Sequence, residues 1–190
     1  CWIMADIKSD VALSKEDRIS LFMMAPNAGE QCRIMDTMLG DLSNEEALAF
    51  AQKINSEALL SRYVGRLRDG SQDFLLSVTE RSKRDVANAA VAQLGNLPGN
   101  PKVVARLKEL LESDPNDALR ETAARSLLNL TNDASLAESL WKRDGVHDTY
   151  RQIALDWWNR KFPDIARSRA LQALSGGYPE PTRVHAIGML

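Results

Sequence analysis

The feature that most constrains this chain is an alanine that returns in one helical context at intervals of 31 to 33 residues, at Ala90, Ala123, Ala154 and Ala186. Aligned on it, residues 86–94, 119–127, 150–158 and 182–190 share the pattern Arg-x-x-Ala-apolar-x-x-Leu, with Ala87 in place of the first Arg and Trp158 in one Leu slot. A further copy, residues 166–174, centres on Ala170. A helical pair of about 30 residues cannot bury its apolar face alone, so copies of this kind stack. A small residue at the centre of each helix lets neighbours approach closely, while Leu fills the space one turn away.

Capping chemistry extends the same rhythm over the whole chain. Ser14 to Asp17, Asn27 to Glu30, Ser43 to Glu46, and Ser56 each precede apolar residues at helical spacing, where a side-chain oxygen can accept from a free first-turn amide. Further starts are expected at Ser71, Arg84, Pro101, Asp117, Asp133, Asp148 and Pro163, and at or just before Pro181. Successive starts lie about 13 to 17 residues apart, which leaves roughly 10 to 12 residues of helix and a short turn. Alternating β-branched runs are missing. These patterns predict an all-α chain of stacked antiparallel helix pairs with about 30 to 33 residues per repeat. Residues 1–70 are expected to form N-terminal helices, as degenerate or capping repeats, and residues 71–190 the regular repeats of one continuous array. Leu190 falls in a slot that a following helix should cover, so the array is expected to be interrupted there or capped by another chain.

The repeated helix follows an acidic or Pro-containing turn at Asp114 to Asp117, Asp144 to Asp148 and Phe162 to Asp164. In this it resembles the HEAT and HEAT-like repeat family, most clearly over residues 72–190. That resemblance implies a right-handed α-solenoid whose second helices line a concave binding surface, used commonly for proteins and sometimes for nucleic acid.

Charge and motifs narrow the function classes. The chain has 24 Lys and Arg against 26 Asp and Glu, a net charge of −2, without the basic excess of a phosphate-backbone binder. No apolar run approaches the roughly 18 to 20 residues of a membrane span. Cys1, Cys32, His147 and His185 are too few and too scattered for a conventional metal centre or a disulfide framework. HExxH, GxSxG, P-loop and GxGxxG motifs are absent, Cys32 has no nearby His to activate it, and Gly176 with Gly177 reads as a helix stop. No cofactor is expected. A mature N-terminus at Cys1 would fit a bacterial lipoprotein carrying a lipid on the thiol, although a fragment boundary is the favoured reading. Localisation follows that choice, cytoplasm or bacterial cell envelope.

Two sets of residues are candidates for function. The column Arg120, Arg151, Arg167 and Arg183 could form a guanidinium ladder for an acidic ligand. The preferred reading is structural, with each Arg stapling a repeat through acids or carbonyls in the turns. Positions one and five after that Arg share the outer side of the second helices and form the candidate partner groove: Asn88, Glu121, Arg125, Gln152 and Asp156. Trp157 joins that set as a candidate anchor, because adjacent Trp157 and Trp158 point about 100° apart and Trp158 holds the core slot. Phe22, Met23, Met24, Met35 and Met38 suit either an adaptable peptide groove or, preferably, an irregular terminal core.

The function expected is non-catalytic, a protein-interaction or scaffolding module that uses the concave face. A helical-repeat accessory domain of a larger enzyme, such as a zinc aminopeptidase, is the first alternative. The second is a nucleic-acid-binding or DNA-repair protein, for which Asp156 beside two Trp residues is the single supporting feature.

Overall fold

The computed structural model describes residues 13–38, 42–81, 83–143 and 148–190. Among the described residues it contains twelve α-helices and no strand. They are α1 (Lys15–Met24), α2 (Ala28–Met38), α3 (Asn44–Ala51), α4 (Glu57–Val64), α5 (Gln72–Arg81), α6 (Arg84–Leu94), α7 (Pro101–Ser113), α8 (Asp117–Thr131), α9 (Ala134–Lys142), α10 (Thr149–Lys161), α11 (Pro163–Ser175) and α12 (Glu180–Ile187). Each begins within one residue of a position that the capping chemistry marks.

The caps are mostly the expected ones. Ser14 and Asn27 accept from the amides of Asp17 and Glu30, and Ser43 with Glu46 forms a reciprocal capping box. Three positions behave differently. Ser56 precedes α4 without a side-chain cap bond. At α8 the cap is Asn116, whose Oδ1 accepts from Ala118 N at 3.1 Å. Asp148 caps nothing and instead bonds Arg151. In the last two turns an acid next to the helix start is therefore directed to the Arg three residues on.

Consecutive helices pair, α1 with α2 through α11 with α12, and the second helices stack in the order α2, α4, α6, α8, α10, α12. Ala90, Ala123, Ala154 and Ala186 all lie at 0% exposure on the packed side of those helices, as does Ala170 on α11. The alanine register therefore marks where the helices meet. Neighbouring second helices are also clamped by side chains reaching a backbone carbonyl of the preceding one. Ser126 Oγ donates to Val91 O at 2.8 Å, and Trp157 Nε1 donates to Leu128 O at 3.1 Å. Gln93 makes the analogous bond to Leu67 O in the turn after α4.

The leucine slot is not uniform. Leu94, Leu127 and Trp158 are buried, whereas Leu174 and Leu190 are exposed, the latter by 55%. The reason is topological. α11 is a first helix rather than a second one, and no described helix packs beyond the α11–α12 pair. Leu171, Val184 and Ile187 are exposed with them. The methionine segment also divides, because Phe22, Met35 and Met38 are core while Met23 and Met24 face solvent. Cys1 and His147 lie outside the described residues. No helix among the described residues is long and apolar enough to cross a membrane.

Candidate interaction surface

Stacking brings the outer faces of α6, α8, α10 and α12 side by side. Asn88, Glu121 and Gln152 are half-buried at equivalent positions on the first three of these helices. Asn88 Oδ1 is buried without a hydrogen-bond partner among the described residues. One turn on, Arg125 and Asp156 continue the row. Arg125 Nη1 approaches Asp156 Oδ2 at 3.6 Å, and His185 Nε2 meets Asp156 Oδ1 at 2.8 Å. One carboxylate thus bridges three consecutive second helices, and the three side chains stay between 30% and 46% exposed. Such partly exposed pairs contribute little stability, of order 0 to 1 kcal/mol, while the packed backbones of α8, α10 and α12 set their spacing.

His185 was not among the sequence candidates. It precedes the register alanine, where the other copies carry Ala89, Thr122 and Ile153. A signal existed in the spacing of the cross-repeat pairs, since Arg125–Asp156, Glu112–Arg143 and Glu138–Arg169 all span 31 residues and His185 lies 29 beyond Asp156.

Trp157 does not belong to this surface. It is 1% exposed, with its indole N–H on the Leu128 carbonyl and its ring 5.5 Å from that of Phe162. The 100° between neighbouring helical residues carries Trp157 toward α8 and Trp158 toward α9, so both become core. Trp158 meets Trp141 edge-on at 6.0 Å.

The Arg column splits in two. Arg120 pairs with Asp117. Arg151 is 91% buried, bonds Asp148 at 3.0 Å, and donates through Nε to Trp141 O at 3.2 Å near the C-terminus of α9. A cation at that end also meets the negative pole of the helix dipole. Arg167 and Arg183 are exposed and make no ion pair among the described residues, although Asp164 and Glu180 stand three residues before them. Water competes for those exposed groups, so burial rather than the Arg-x-x-Ala pattern decides which Arg acts as a staple.

Several clefts accompany the described helices, among them one of about 530 Å³ beside Pro101, Val104 and Leu130 and two nearer the turns. One of about 780 Å³ opens at the turns after α4 and α6, beside Tyr63, Arg66 and Asn96. Burial pushes the Tyr63 hydroxyl up to about 12. The other, about 410 Å³, lies where the ends of α9 and α11 meet the starts of their partner helices. No cluster of His, Cys, Asp and Glu among the described residues could hold a metal ion.

Helix pairs of about 30 residues, stacked through a register alanine and clamped at the second helices, define a helical-repeat protein. A family model of HEAT repeats matches residues 51–128 and 72–175, well over half of the sequence, and the chain belongs to the HEAT-repeat family. The match reaches back through α4 to Ala51 at the end of α3, where the Arg of the pattern is not in place. No curated protein and no solved structure shows a significant match to the chain.

Proposed function

We propose that the protein is a non-catalytic interaction or scaffolding module whose partner is a protein bound along the row Asn88, Glu121, Arg125, Gln152, Asp156 and His185. The observation that carries this reading is the bridge from Arg125 through Asp156 to His185, which presents mixed charge in fixed register across α8, α10 and α12. A surface of alternating sign recognises a complementary protein face better than a polyanion, which needs a continuous positive track.

The same geometry weighs against base excision at Asp156. Both of its carboxylate oxygens are engaged, and the two neighbouring Trp side chains are committed to the core, so no aromatic slot for an extruded base surrounds it. Zinc aminopeptidase membership remains a property of a larger chain and is tested by the reading frame around this sequence.

A photo-crosslinking amino acid at Glu121 or Gln152 tests the proposal, with the same probe at Lys108 on α7 as the control. The row positions should capture one protein that the control does not, and Asp156→Arg should abolish that capture while the far-UV spectrum is retained. Equal capture at all three sites, or duplex DNA binding that falls steeply with salt, would contradict it.

A further inference from the structure

On the outer face of the α11–α12 pair the repeat calls for cover that no described helix gives. The residue after the register alanine is 0% exposed on α6, α8 and α10, as Val91, Ala124 and Leu155, where a further second helix packs alongside each. On α12 the same position is Ile187, 63% exposed. Its direction follows from helix geometry. Arg169 reaches Glu138 on α9 and His185 reaches Asp156 on α10. Leu171 and Ile187, each two residues on and thus about 200° round the helix, therefore point away from the preceding repeat. Two exposed stripes result, Arg167, Leu171 and Leu174 on α11, and Arg183, Ile187 and Leu190 on and just past α12. Val184, 61% exposed, widens the second stripe, at the position where the earlier second helices carry half-buried Asn88, Glu121 and Gln152.

We propose that this face is the contact between two copies of the chain, related by a two-fold axis. The face continues the interface by which α6, α8, α10 and α12 stack, so it fits another pair of packed helices, and a second α11–α12 pair is one. Its rim is electrically balanced, Asp164 and Glu180 against Arg167 and Arg183, which favours a neutral apolar face over an acidic or a basic partner. Because α11 and α12 run antiparallel, a two-fold lying in the face sets each Arg over the leucine end of the opposing stripe and keeps the four guanidinium groups apart. The exposed apolar side chains offer on the order of 450 Å² per copy, so that pairing removes about 1,000 Å² with the rim, the lower end for a specific contact. That size fits a concentration-dependent dimer, and the two-fold closes it at two. The contact is separate from the second-helix row.

Sedimentation velocity of the full chain tests this, with a passage from monomer to dimer and no further, at a Kd on the order of 10 to 100 µM. Leu171→Glu and Ile187→Glu, at positions exposed in the single chain, should each weaken the dimer at least about tenfold and keep the far-UV spectrum. Met24→Glu, at an exposed residue on α1 at the other end of the array, should leave the dimer unchanged. Amide exchange in α11–α12 should be fast in the dilute monomer and slow as the dimer fills, with α1–α2 unaffected, which reports on the unmodified chain even if a Glu variant unfolds. A monomer at every concentration, association that continues past the dimer, a dimer lost in Met24→Glu, or one untouched by both Glu variants would overturn the proposal.

Discussion

At the scale of single residues, close approach of the second helices rests on a few small or committed side chains. Gly95 is one that the repeat pattern did not mark. Its φ of −69° is open to any residue, so the requirement is space: a Cβ there would lie 2.5 Å from Ser126 Oγ and 2.7 Å from Ser126 Cα. Gly95→Ala should therefore cost about 1 to 3 kcal/mol through overpacking, measured by urea denaturation. An unchanged midpoint would mean that α6 and α8 are farther apart than described. Trp157→Ala should cost about 3 to 5 kcal/mol, the range for removing a buried large aromatic. A change within about 0.5 kcal/mol would return Trp157 to the surface. Single-residue burial was only partly legible in the sequence. Periodicity marks Ala123 as inward because four copies repeat it, whereas the position of Trp157 carries Gln93 and Ser126 in other copies, a change of residue type that hides the bond each of them makes to a carbonyl of the preceding repeat.

At the scale of helices, starts were far more legible than strengths. Ser43, Asn100, Asn116 and Asp133 satisfy first-turn amides by local geometry, which depends on a few consecutive residues. That locality is why all twelve starts could be read. Bonds from the Ser43 amide and then from Lys15 hold the Glu46 carboxyl below its usual range, and the Ser135 hydroxyl does the same for Asp133. Groups with a depressed folded-state pKa contribute their stabilisation in full above the unfolded value and lose it as pH falls through the folded one. Acidification from pH 5 toward 2 should therefore loosen the first turns of α3 and α9, seen as faster amide exchange relative to α7, whose cap is the uncharged Asn100. Equal loosening of all three helices would contradict this cause.

How much each pair stabilises depends on what it buries, which capping cannot reveal. α7 buries Val103, Leu107, Leu110 and Leu111, whereas α11 buries only Ala166, Ala170 and Ala173 and leaves Ile165, Leu171 and Leu174 in solvent. At roughly 25 cal/mol per Å² of apolar area, the α11–α12 pair docks with less free energy than α7–α8. Native-state hydrogen exchange should find the lowest opening free energy among the regular pairs in α11–α12. Protection there equal to that of α8 would show that its exposed leucines are covered in solution.

At the scale of the whole molecule, the 31 to 33 residue register divides α6, α8, α10 and α12 each into a packed alanine side and a more exposed side. The sequence revealed that division and most of the row, and missed His185 because the residue is displaced from the register. It could not reveal which Arg residues are buried, since neighbours from another repeat decide it. The most direct measurement is a paired comparison on α8 by urea denaturation. Ala123→Leu should lose about 1 to 3 kcal/mol, while Glu121→Ala and Arg125→Ala should each stay within about 0.5 kcal/mol of the parent. If Ala123→Leu leaves stability unchanged and either polar substitution lowers it by more than about 1 kcal/mol, the two sides of the helix have been assigned the wrong way round.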